Sequence, residues 1–165
     1  MNIILVGFMG TGKTAVAQAL AGKLKMKYVD LDDVIEADAG RSINKIFAES
    51  GEDHFRYLEK QAAKKISSLD KQVIATGGGV VLDKQNVENL KKNGIMVCLT
   101  ATVEVIYSRV KDQQSRPLLN VDKPREAIKE LLDARQSYYA QADFTIDTSN
   151  LAVEQAVKKI VKLLA

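Results

Sequence analysis

Residues 2–24 change hydrophobic period once, and that change fixes much of what the chain can become. Asn2-Ile3-Ile4-Leu5-Val6 is apolar without alternation, the pattern of a strand buried on both faces. From Lys13 onward Val16, Ala19, Leu20 and Leu24 recur at helical spacing. Between the two lies Gly7-Phe8-Met9-Gly10-Thr11-Gly12-Lys13-Thr14, a match to G-x-x-x-x-G-K-[ST]. A strand, a glycine loop and a helix in that order form a βα unit. Buried parallel strands require helices on both faces of the sheet.

The rest of the chain repeats the alternation. Short apolar runs at Tyr28–Leu31, Val73–Ala75, Ile95–Leu99 and Phe144–Ile146 predict four further strands. Ser42 is placed to cap a helix carrying Ile43, Ile46 and Phe47, which Gly51 is expected to end. Phe55, Leu58, Ala62 and Ile66 mark the next helix, and Asp83 caps another with Val87 and Leu90 that Gly94 stops. Val103, Ile106, Tyr107 and Val110 form a fifth stripe; Pro124 suits the first turn of a sixth. Val153, Ala156, Val157, Ile160, Val161 and Leu164 form the last. The expectation is one three-layer α/β/α domain over 1–165, with a central parallel sheet of about five strands. Crossovers should be right-handed, with ligands beyond the strands' C-terminal ends.

Composition narrows the function classes. A chain of 165 residues with 46% hydrophobic and 27% charged residues can bury a full core. A net charge of +3 from 24 scattered basic residues argues against nucleic acid or an anionic membrane as partner. Cys98 is the single cysteine and lies in an apolar run, so no internal disulfide is expected and a reducing cytoplasm is the natural compartment. No leader or membrane-length run is visible.

The chemistry begins at the glycine loop. Its glycines let successive N–H groups point inward at phosphate, and the following helix N-terminus adds positive potential. Lys13 can reach β- and γ-phosphates, and Thr14 can offer a hydroxyl to Mg²⁺. Downstream, Asp30 and Asp32 are expected to project to one side at the end of the second strand, serving a metal and an acceptor hydroxyl. Asp33 reads as an acid in a helix's first turn. Arg56 taken alone reads as a helical ion pair with Glu52 or Glu59. Arg135 falls on the apolar stripe Ile128, Leu131, Leu132, Tyr139, where a guanidinium calls for an anionic partner. Arg116-Pro117-Leu118-Leu119 lies in an aperiodic polar stretch, residues 111–123, suited to a lid that closes over phosphates. A second glycine run, Gly77-Gly78-Gly79, offers bare backbone to a ligand.

GFMGTGKT (7–14), VDLDDVIE (29–36), GRSINKIF (40–47), GEDHFRYLE (51–59), TGGGVV (76–81), SRPLL (115–119) and RQSYY (135–139) stand in one order over nearly the whole chain. In that arrangement the sequence resembles the shikimate kinases. The resemblance implies transfer of the ATP γ-phosphate to the 3-hydroxyl of shikimate, on the route to chorismate and the aromatic amino acids. It implies catalytic roles for Lys13, Asp32 and Arg116. ATP would lie on Gly10, Thr11, Gly12, Lys13, Thr14 and Ala15, with Arg109 and Ser149 at the adenine and Arg116 over the phosphates. Mg²⁺ would be held by Thr14 and, through water, Asp30. Shikimate would be held by Asp32, Arg56, Gly77, Gly78, Gly79 and Arg135, with acceptor-binding helices over about 31–62. A monomer is expected. A gluconate-type sugar-acid kinase shares the loop and an anionic acceptor; a nucleotide-binding regulatory module would share the loop alone.

Overall fold

A computed structural model describes residues 1–112 and 121–165. Five strands form one parallel sheet: β1 (Asn2–Val6), β2 (Lys27–Asp30), β3 (Gln72–Ala75), β4 (Gly94–Thr100) and β5 (Phe144–Asp147). Their order across the sheet is β2-β3-β1-β4-β5. Among the described residues seven helices connect and cover them: α1 (Lys13–Leu24), α2 (Leu31–Ala39), α3 (Ile43–Ser67), α4 (Lys84–Lys91), α5 (Val103–Val110), α6 (Pro124–Tyr139) and α7 (Val153–Leu164).

Strand pleating divides the core in two. Ile4, Val6, Ile74, Met96 and Cys98 point to one face and pack beneath α2 to α6. Ile3, Leu5, Val73, Ala75, Val97 and Leu99 point to the other and meet α1 and α7. The alternation of neighbours along β1, β3 and β4 is the period of two that a strand imposes. Both faces are apolar because both are covered, which is why the sequence shows unbroken apolar runs. The expected architecture is therefore present.

Two local expectations change. Leu31 opens α2 rather than ending β2; the Asp30 carboxylate accepts from the N–H groups of Asp32 and Asp33 and so caps the helix. Gly51 breaks the helix as foreseen: at φ 81°, ψ 174° it leaves helical geometry and kinks α3 into two segments, the second carrying Phe55, Ala62 and Ile66. Gly94 does not stop α4, which ends at Lys91; it is instead the first residue of β4, lying against Leu90 and Asn2. Ser42, Asp83 and Pro124 stand at the helix starts foreseen for them. Among the described residues no helix is long and apolar enough to cross a membrane.

Candidate active site

The glycine loop joins β1 to α1 beyond the sheet's C-terminal edge. Gly7, Gly10 and Gly12 take φ of 143°, 75° and 97°, which L side chains rarely adopt. The buried Thr11 hydroxyl donates to the Phe8 carbonyl at 2.8 Å and ties the loop to itself. Lys13 opens α1, its Nζ donating to the carbonyls of Gly7 and Phe8. Thr14 and Ala15 are exposed in the first turn of α1, which holds no acidic residue, so the helix N-terminus keeps its positive potential.

The pairing of Asp30 with Asp32 does not arise from strand phase, because Asp32 belongs to the first turn of α2. Asp30 Oδ1 is taken by two N–H groups of that turn, and Oδ2 accepts from the Tyr28 hydroxyl at 3.3 Å. Burial, then the Asp30 charge, pushes Tyr28 up to about 12. Asp32 points inward and its pKa is pushed up to about 6. Burial is the main cause and Asp30 adds to it, while Lys13 pulls the other way.

The second glycine run, between β3 and a 3₁₀ turn at Val80–Leu82, is where the remaining residues meet. A Cβ on Gly77 would lie 3.3 Å from Asp32 Oδ1 and 3.5 Å from Glu59 Oε2. One on Gly78 would lie 3.5 Å from Arg135 Nη1 and 3.7 Å from both the Gly7 carbonyl and the Met9 N–H. One on Gly79 would sit 2.5 Å from both terminal nitrogens of Arg56. Each glycine thus faces a different charged side chain, and Gly78 also faces the phosphate loop. Asp32, Arg56 and Arg135 come from α2, α3 and α6, and the turn gathers them at one place. A cavity of about 430 Å³, lined by Arg56, Glu59 and Gly79 on one side, adjoins it.

Both arginines are held in place. Arg56 pairs with Glu59 at 3.0 Å and with Glu52 at 3.6 Å, and its guanidinium lies 5.2 Å from the Phe55 ring centre. Arg135 lies 5.9 Å from the ring centre of Phe8, and its charge acts on the Tyr139 hydroxyl. The Tyr139 hydroxyl in turn donates to the Gly78 carbonyl at 2.6 Å. Burial pushes this phenol up to about 12 against the pull of Arg135, so it stays a donor.

Glu59 is the residue that sequence reading passed over as no more than an ion-pair partner. It is 1% exposed, and burial raises its pKa while Arg56 opposes. The signal was available: Glu59 shares a helical face with Phe55, Ala62, Ala63 and Ile66. A charge on an apolar face had singled out Arg135 by the same logic. Among the described residues the buried Asp32 Oδ1 and Glu59 Oε2 have no hydrogen-bond donor, and both lie against Gly77.

On the far side of the loop, Arg109 donates to the carbonyl of Gly10 at 3.0 Å and to that of Thr148 at 2.8 Å. The Ser149 hydroxyl accepts from the Thr102 N–H at 3.0 Å, joining the segment after β5 to the start of α5. Arg116 and the centre of the expected lid, residues 113–120, lie outside the described residues.

The family model described as shikimate kinase matches residues 9–165. A shikimate kinase of Thermodesulfovibrio yellowstonii is 50% identical over 98% of this chain and 93% of its own. One from Caldanaerobacter subterraneus is 45% identical over 98% of this chain and 94% of its own. Among solved structures, the shikimate kinase of Acinetobacter baumannii in complex with shikimate superposes with a TM-score of 0.94. It is 38% identical, with 99% of this chain and 92% of that one covered. The shikimate kinase of Aquifex aeolicus superposes at 0.88, with 34% identity over 99% and 96% of the two chains. With a phosphate loop facing a glycine turn that gathers an aspartate and two arginines, the chain belongs to the shikimate kinase family.

Proposed function

We propose that this chain transfers the γ-phosphate of ATP to the 3-hydroxyl of shikimate, giving shikimate 3-phosphate and ADP, with the residues of the two glycine segments dividing the work. The observation that carries the reading is the placement of Gly77, Gly78 and Gly79 against Asp32, Arg135 and Arg56, with the phosphate loop opposite. A carboxylated, polyhydroxylated ring asks for that set: arginines for its carboxylate, a carboxylate for its hydroxyls and open backbone beneath the ring.

In this reading Arg56 and Arg135 hold the acceptor carboxylate and Asp32 orients the reacting hydroxyl. Gly77, Gly78 and Gly79 let the ring approach the backbone. Lys13 and the inward N–H groups of Gly10, Thr11, Gly12, Thr14 and Ala15 hold the nucleotide phosphates. For a loose phosphoryl transfer, alignment and charge stabilisation dominate over a strong base, so Asp32 acts chiefly by placing the hydroxyl in line. Arg116 is assigned to the phosphates, and Arg109 and Ser149 to the adenine side.

The donor set fits a magnesium ion that arrives with the nucleotide. Both carboxylate oxygens of Asp30 already accept hydrogen bonds, leaving it lone pairs for a metal-bound water rather than for a close ligand position. Thr14 presents its hydroxyl at the exposed start of α1. Among the described residues no cluster of three or more His, Cys, Asp or Glu forms an all-protein cage, as suits an ion bound largely by phosphate and water. When bound, the ion neutralises charge on the phosphates. The enzyme is expected to act as a monomer in the cytoplasm, without nucleic acid or membrane partners.

A coupled assay of ADP release tests the whole reading. Turnover should depend on shikimate and Mg²⁺ and be absent with gluconate. ADP release indifferent to shikimate would overturn it.

A further inference from the structure

Thr148 follows β5, is 3% exposed, and has each of its polar atoms engaged. Its N–H donates to the Thr100 carbonyl at the end of β4, 2.8 Å away. Its carbonyl accepts from Arg109 Nη2 at 2.8 Å and from the Leu151 N–H at 3.3 Å. Its hydroxyl lies 2.8 Å from the Thr11 carbonyl and 3.1 Å from that of Thr100, and accepts from Arg109 Nη1 at 3.3 Å. The same Nη1 donates to the Gly10 carbonyl at 3.0 Å. Two successive carbonyls of the phosphate loop are therefore fixed from outside, one by Arg109 and one by Thr148.

Peptide planarity turns this outer anchoring into inner aim. In a trans peptide the carbonyl and the following N–H point in opposite directions and rotate as one plate. Holding the Gly10 carbonyl sets the Thr11 N–H; holding the Thr11 carbonyl sets the Gly12 N–H. Both N–H groups belong to the loop that cradles phosphate. Glycines at φ 75° and 97° flank Thr11, so the backbone itself offers little resistance to rotation. Helix α5 braces the same point: a Cβ on Gly10 would meet Val110 Cγ1 at 2.8 Å and the Ile106 carbonyl at 3.4 Å.

We propose that Thr148 is a positioning residue for phosphate binding, its hydroxyl fixing, together with Arg109, the peptide planes at Gly10 and Thr11 so that their N–H groups face the phosphates. The inference rests on the ATP reading of this site. Thr148 touches no substrate; it acts through the loop and links the adenine side of the site to the phosphate side.

The test is Thr148→Val, which removes the hydroxyl and keeps the shape. With the Thr11 carbonyl released, the KM for ATP and the Kd for inorganic tripolyphosphate should both rise, by roughly five- to fiftyfold for a lost buried hydrogen bond. The KM for shikimate at saturating ATP and the Kd for adenosine should hold to within about twofold, since neither uses the loop's N–H groups. Thr148→Ser should restore tripolyphosphate binding, and Thr148→Ala should repeat the loss without any added methyl. Unchanged tripolyphosphate affinity in the Val and Ala variants would overturn the proposal, and so would a Ser variant as weak as Val, which would make the residue a packing element. Wild-type protein that binds tripolyphosphate but ignores shikimate would sink the acceptor reading, leaving this one decided by the same affinities.

Discussion

The two glycine segments use the same residue for different reasons. In the phosphate loop Gly7, Gly10 and Gly12 are demanded by backbone conformation, with φ from 75° to 143°. In the second segment none of the three glycines has a positive φ; Gly79, at φ −102°, has a backbone any residue can adopt. What excludes a side chain there is occupied space: the position a Cβ would take is filled by the working end of Arg56. Glycine supplies torsional freedom in the first case and room in the second. On the proposed reading the first is bound up with folding and the second with the acceptor alone.

That distinction breaks if substitutions in the two segments behave alike. The largest effect is expected at Gly7→Ala. Its Cβ would overlap the backbone carbonyl of Leu99 on the adjacent strand, and φ 143° is strained for alanine. Backbone atoms cannot step aside as a side chain can, so a loss of about 3 kcal/mol or more is expected, seen as a large drop in Tm. Next comes Arg135→Ala, which should raise the KM for shikimate about a hundredfold through loss of a charge-assisted contact. The KM for ATP should change little, and equal effects on both substrates would refute the clamp.

Gly79→Ala sharpens the comparison further. The new methyl would displace the Arg56 guanidinium, the far end of a flexible side chain, without backbone strain. Shikimate kcat/KM should fall roughly tenfold while Tm stays within about 2 °C of wild type. A Tm loss matching that of Gly7→Ala would show that both segments serve folding.

The fold was legible because its signals are local and redundant. Apolar runs without alternation mark strands covered on both faces, and the change of period at Lys13 marks the first helix. Boundaries were less legible where one residue suits two states. Leu31 is fully buried and extends an apolar run, yet the chain turns helical there because Asp30 offers a cap. Gly51 is the clearer case: it gives the signal of a stop, and at φ 81°, ψ 174° it breaks helical geometry there. Most residues of the candidate site were singled out one by one, but their arrangement was not legible. Asp32 was singled out on strand phase, yet it reaches the site on the first turn of a helix. The bonds of the Thr148 hydroxyl could not be read from the sequence, since they run to residues 137 and 48 positions away.

The smallest effect concerns the carboxylate beneath the second glycine turn. Burial raises the Glu59 pKa above its ordinary value; Arg56 opposes, while Asp32 and Asp83 add to the rise. For an acid with a raised folded pKa, the native state holds its proton more tightly than the unfolded chain does. Wild-type stability should then fall as pH rises from about 4.5 through the folded value, and level off above it. Glu59→Gln keeps the size and removes the ionisation, so it lacks this slope. Its Tm should draw level with wild type near the acid end of that window and exceed it at pH 7 to 8. Shikimate binding should weaken severalfold in the same variant, because Arg56 loses its 3.0 Å partner and with it a fixed position against Gly79. Stability and acceptor affinity would then move in opposite directions at one residue. That is the behaviour of a group kept for the room it helps to organise around the second glycine run. A Tm difference that ignores pH, or that shrinks as pH rises, would instead make Glu59 an ordinary stabilising ion-pair partner.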